Sequence, residues 1–153
     1  MPIEVRRFGI GHRRPEGPPG TVGVTGGSIH SDERGFIGEL AFGRGARIEP
    51  HTSPNTIWFI VIEGGGWVGV GDERTRVAAG EAVLWPPDLL HSAWTEHSEM
   101  RAIVIELVPG ESDIVVDPTR LAGGEAPVDQ VIGSLRGGAA GRSHDAADAG
   151  EPA

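Results

Sequence analysis

Cysteine, lysine and tyrosine are all absent from this chain of 153 residues. Without cysteine there is no disulfide, no thiolate metal ligand and no cysteine nucleophile. Without tyrosine, one common general acid is missing. Every one of the 13 cationic side chains is therefore arginine, and 22 carboxylates set against them leave a formal net charge of −9. An acidic chain with no basic cluster is a poor electrostatic partner for nucleic acid or an anionic membrane. Long apolar runs are lacking too. Nothing approaches the ~18 residues of a membrane-spanning helix, and Met1-Pro2-Ile3-Glu4-Val5-Arg6-Arg7 has no apolar stretch of signal-peptide length. The expectation is a soluble cytoplasmic protein with neither a nucleic-acid nor a membrane partner.

Glycine (25) and proline (12) are abundant, and their placement shows what they do. Between residues 20 and 117 they separate short apolar runs: Phe36–Phe42, Ile57–Ile62, Trp67–Val70, Ala82–Trp85, Met100–Val108 and Ile114–Val116. These runs have strand length, and several are rich in β-branched and aromatic residues. No helical apolar repeat competes with them. Short strands at near-regular spacing with turn signals between them imply an all-β antiparallel sandwich or barrel over residues 20–117. Gly64-Gly65-Gly66 reads as a hairpin turn with positive φ, since no helix follows it to make a phosphate cradle.

The ends differ from this body. Residues 1–19 form an N-terminal arm, because three prolines within Pro15–Pro19 exclude a sheet interior. Residues 118–153 drift to glycine and alanine. A turn or two of amphipathic helix fits 127–135, and 137–153 has too little apolar surface to offset its ordering entropy, so a disordered tail is expected there.

The chemistry concentrates in two stretches. The first runs from Gly45 through His51, Ser53 and Ile57 to Gly64, and the second from Gly80 through Pro86 and Asp88 to His91 and Thr95. Together they resemble the two motifs of the cupin superfamily, small jelly-roll β-barrels. Gly45, His51 and Gly64 match the first motif, and Gly80, Pro86 and His91 match the second. The resemblance spans about residues 36–108 and implies a single cupin-type barrel. In that family two histidines and a glutamate of the first motif, with a histidine of the second, hold a divalent metal. Here Ser53 stands at the second histidine, Ile57 at the glutamate, Asp88 at a motif glycine and Thr95 at an asparagine. Only His51 and His91 remain of the ligand set.

A first-row divalent metal wants at least three protein donors. Serine is a poor neutral ligand and isoleucine supplies nothing. Glu49 shares a strand face with His51 if the strand is regular, which makes it the candidate third ligand of a weakly held metal. His12, His30, His97 and His144 sit in polar surroundings and read as solvated. A Ser53–His51 nucleophilic pair lacks the elbow and oxyanion hole that would activate it.

Alternation puts Ile57, Phe59 and Val61 on one strand face and Trp58 and Ile60 on the other. The resemblance sets Ile57 on the ligand side, which implies that the first set points inward and the second outward. Two function classes follow. The first is a binding module whose barrel takes a small organic ligand against Ile57 and Phe59, with His51, Ser53 and His91 as polar groups. The alternative is a metal-dependent oxygenase, decarboxylase or isomerase with an atypical ligand set. Metal-free acid/base catalysis of the sugar-epimerase kind resembles histidine–tyrosine chemistry, which this chain cannot complete. A pure interaction role is the remaining class. The outward apolar row at Trp58, Ile60 and Ile62 predicts a homodimer.

Overall fold

A computed structural model describes residues 2–110. The run Ile114–Val116, the helical segment expected over 127–135 and the tail over 137–153 lie outside the described residues. Seven strands follow in chain order: β1 (Thr21–Asp32), β2 (Gly35–His51), β3 (Thr56–Val70), β4 (Glu73–Ala78), β5 (Ala82–Trp85), β6 (His91–Trp94) and β7 (Met100–Leu107). There is no helix among the described residues, so none is long and apolar enough to cross a membrane.

Every strand pairing is antiparallel, and two long strands close the barrel. β2 pairs with β7 through Gly35–Phe42 and with β6 through Arg47–His51. β3 pairs with β7 through Thr56–Gly64, then with β4 and β6 through its second half. Both strands thus change partners along their length and close the seven strands into a jelly-roll barrel. β1 lies along the free edge of β2, and β5 along that of β3. Phe42, Phe59, Val61, Val68, Val77, Met100 and Ala102 fill the barrel interior.

The glycine triplet is not a hairpin turn. β3 runs through it, Gly65 pairing with Ala78 and Gly66 with Val77. Gly64 does take a positive φ of 70°, just after a register shift between Val61 and Glu63. A Cβ at Gly64 would lie 2.0 Å from the Glu99 carbonyl oxygen, and one at Gly66 2.6 Å from that of Trp94. Side chains are missing here because the strand must bend beneath residues 94–99 as it passes from β7 to β4.

On the outer face, Trp67 and Trp94 stack with ring centroids 6.0 Å apart, and the Arg74 and Arg76 guanidinium groups lie over Trp67. Trp58 and Ile60 are half-buried and alternate with the buried Ile57, Phe59 and Val61.

The N-terminal arm hooks around the β1 edge. Arg14 forms a β-bridge with Gly26, and before it the arm covers Glu39 on the outer face of β2. That carboxylate is completely buried. Arg13 donates to both of its oxygens, at 2.9 and 3.0 Å. Arg101 of β7 donates twice to Oε2, at 3.0 and 2.7 Å, and the Gly9 amide donates to Oε1 at 3.0 Å. The hydrogen bonds from Arg13 do most to hold the Glu39 carboxyl down at about 2; burial opposes them and Arg101 adds to them. Residues 14–19 then continue over the inner side, where they roof a cavity.

Candidate functional site

His51 ends β2 and His91 begins β6, and the two are register partners. A bulge lies between Ile48 and His51, so both of these residues face inward although an odd number of positions separates them. The bulge also corrects the expectation for Glu49. Its side chain turns outward, is half exposed, and pairs with Arg47. Only its backbone carbonyl reaches the site, accepting from His51 Nδ1 at 2.9 Å.

Because a carbonyl can only accept, the His51 proton sits on Nδ1 and its Nε2 offers a lone pair. His91 Nε2 lies 3.1 Å from that atom. His91 is buried and stacks on Trp85, with centroids 4.3 Å apart and planes 12° from parallel. Trp85 stacks in turn on Phe59 at 4.9 Å. Burial is the main force pushing His91 down to about 4, the neighbouring His51 adds to it, and the Leu89 backbone opposes it. His91 is therefore neutral near pH 7, and its buried Nδ1 closes no well-formed hydrogen bond.

The family's other positions have been turned to structural work. Ser53 lies in the connection between β2 and β3, its Oγ accepting from the Asn55 amide at 3.1 Å and its carbonyl from the Asp88 amide at 2.8 Å. Asp88 adopts a φ of 65°, the left-handed conformation that a glycine takes without strain. Thr95 is buried, accepts from the Ala46 amide and donates to the Gly43 carbonyl, tying the end of β6 to the middle of β2. Ile57 is buried and apolar. Among the described residues no three His, Cys, Asp or Glu side chains converge to hold a metal ion. Two imidazoles are half of a site, and the residues present do not fit a resident first-row metal.

What the barrel does offer is a cavity of about 610 Å³. Phe36, Leu40, Ile48, Ile57, Trp85 and Val104 wall it, and Arg14 to Pro19 of the arm roof it. Of the residues singled out from sequence, His51 and Ile57 line this space. Ser53, Phe59 and His91 do not, since Phe59 and His91 lie against the buried Trp85 and Ser53 is engaged in its loop. Glu106 lines the cavity and was passed over in the sequence, hidden inside the apolar run Met100–Val108. Alternation could have found it: Met100, Ala102 and Val104 are buried, and Glu106 is next on the same face.

The sequence model of the cupin domain matches residues 38–108. No curated protein matches the chain. Among solved structures, the polyketide cyclase RemF from Streptomyces resistomycificus is similar at a TM-score of 0.62 and 20% identity, over 71% of this chain and 81% of that one. A predicted oxalate decarboxylase from Thermotoga maritima is similar at 0.63 and 13%, over 69% of this chain and 100% of that one. A cupin-like protein from the same organism is similar at 0.59 and 23%, over 65% and 81%. At these identities the likeness is one of fold.

Proposed function

The chain belongs to the cupin superfamily, and from that premise we propose that it is a binding module whose barrel takes a small organic ligand without a resident metal. The fold alone does not select this reading, because cupin barrels host many chemistries. The observation that carries it is the 610 Å³ cavity, apolar on most of its wall, with His51, Ser28, Ser31 and Glu106 among its polar groups on the strands and Arg14 and Glu16 on the arm. A space of that size, with that balance of apolar wall and few polar groups, suits a small-molecule site. Phe59 and His91 stack on Trp85 and hold its indole in place where it borders the cavity.

A second reading is a metal-dependent enzyme with an atypical ligand set. One observation favours it: the Nε2 atoms of His51 and His91 converge at 3.1 Å while His51 Nδ1 is held by a carbonyl, the way metal-binding imidazoles are oriented. Native mass spectrometry and metal analysis of protein purified without chelator separate the two readings. The expected result is an organic adduct that leaves on denaturation, with metal well below one equivalent per chain. One tightly held metal per chain overturns the binding-module reading in favour of the enzyme.

The proposal includes self-association through the outer face of the sheet that carries Trp58. Ile105 and Leu84 are the register partners of Trp58, and Ile103 is that of Ile60. Leu84 (41%) and Ile62 (40%) are markedly exposed. A contiguous apolar face of this kind gains by being covered. Light scattering at high micromolar concentration is expected to give the mass of a dimer, and a monomer there sinks the idea.

A further inference from the structure

One row of inward side chains crosses four neighbouring strands at the cavity mouth. Phe36 of β2 pairs with Glu106 of β7, Glu106 with Ile57 of β3, and Ile57 with Trp85 of β5. Register partners share a face, so Glu106 places a carboxylate on an otherwise apolar wall, flanked by Phe36 and Ile57. Its Oε2 accepts from Asn55 Nδ2 at 2.6 Å. Among the described residues Glu106 makes no other side-chain hydrogen bond and no ion pair, which leaves Oε1 without a partner.

This carboxylate differs from the other charges nearby. Glu39 has both oxygens filled by Arg13, Arg101 and Gly9. Arg14 and Glu16 also line the cavity, but from the exposed arm rather than from the strand wall. The His51–His91 pair stands beside Trp85, two strand spacings or roughly 10 Å along the row from Glu106. Glu106 is thus a polar point on the strand wall of the cavity, with no ion-pair partner among the described residues and its position fixed by Asn55.

Resting on the reading of the barrel as a ligand cavity, we propose that Glu106, held by Asn55, selects the ligand: it receives the hydrogen-bond-donating end, an amine or a hydroxyl, of a molecule whose remainder is apolar. The physical argument is one of exchange. A ligand that fills the cavity strips water from Oε1, and only a donor replaces the bond that water made. An amine or hydroxyl restores it as a charge-assisted hydrogen bond. A purely apolar ligand leaves the acceptor unmet, and an anionic one adds like-charge repulsion. Discrimination therefore runs against ligands without the donor, as in any site built around a buried polar group.

The test uses four probes with one body: 2-naphthylmethylamine, 2-naphthalenemethanol, naphthalene and 2-naphthoate, titrated calorimetrically into the full chain. The expected order of affinity is amine, alcohol, naphthalene, naphthoate, and the first two ranks distinguish an amine ligand from a hydroxyl one. Glu106→Gln, checked for an unchanged melting curve, is expected to weaken the amine by about tenfold or more and to leave naphthalene unaffected. Asn55→Ala, which keeps the charge but frees the carboxylate, is expected to weaken the amine by less. This second variant and the wild-type order decide the matter if Glu106→Gln does not fold. Binding of all four probes with equal affinity, or an amine affinity unchanged in both variants, overturns the role of Glu106 alone. Binding of none overturns the ligand-cavity reading and this inference with it.

Discussion

Glutamine in place of Glu39 is expected to lower stability by about 3 kcal/mol, or roughly 10 °C in melting temperature. The substitution preserves shape and removes charge. Arg13 and Arg101 then face a neutral amide whose NH2 end cannot accept from them, so each guanidinium loses its charge-assisted bonds. Breaking a buried pair from one side is strongly destabilising, because the partner stays behind uncompensated. The figure sits at the low end of that range since Arg13 and Arg101 keep 18% and 31% of their side-chain surface in water. Thermal melting reads the loss. Trypsin reads its location, with faster cleavage expected after Arg13 as the arm comes loose, since Pro15 shields the bond after Arg14. A variant that melts with the wild type while its arm stays protected would show that the clamp adds nothing.

His91 is expected to make stability fall between pH 6.5 and pH 4, in a window that lies mostly above that of Glu39. Its folded value of about 4 lies below its ordinary value of 6.5, so between the two the unfolded chain binds the proton and the folded chain does not. Stability is therefore fully present above pH 6.5 and declines as pH falls toward 4. A shift of this size corresponds to about 3 kcal/mol. Glu39 acts lower. Its stabilising contribution is present above its ordinary value of 4.5 and is lost as pH falls toward about 2. In His91→Phe, which keeps a ring against Trp85, the decline between pH 6.5 and 4 should vanish while the lower one remains. Urea midpoints measured at half-unit intervals from pH 8 to 3 give both slopes. An unaltered upper slope in His91→Phe would assign that proton to another group.

The parts of the fold that were legible in the sequence are those where one strand carries several inward apolar residues. Ile57, Phe59 and Val61 announce the first half of β3, and Met100, Ala102 and Val104 announce β7. β1 and β4 are harder to see because few of their inward positions are apolar: among the buried core residues β1 contributes Val24 and β4 contributes Val77. The inward role of His51 was readable from its motif. The outward role of Glu49 was not, because it depends on a bulge that reverses the alternation after Ile48. Glycines at 64 and 66 spell a turn in local terms. Only the approach of the Glu99 and Trp94 carbonyls, distant in sequence from the first of them, explains why they lie in a strand instead. The roof over the cavity was hidden for the same reason, since it needs the arm, β2 and β7 to meet at Glu39.

That meeting point also has an order in time. Glu39 binds Gly9 and Arg13 at sequence separations of 30 and 26, but Arg101 at 62. A chain synthesised from its N-terminus releases the first two partners early and the third only after six strands have emerged. Until β7 inserts between β2 and β3, the arm is fastened on one side and the barrel is open along a full seam. The last of the described strands to be made is thus the one that both seals the wall and completes the fastening.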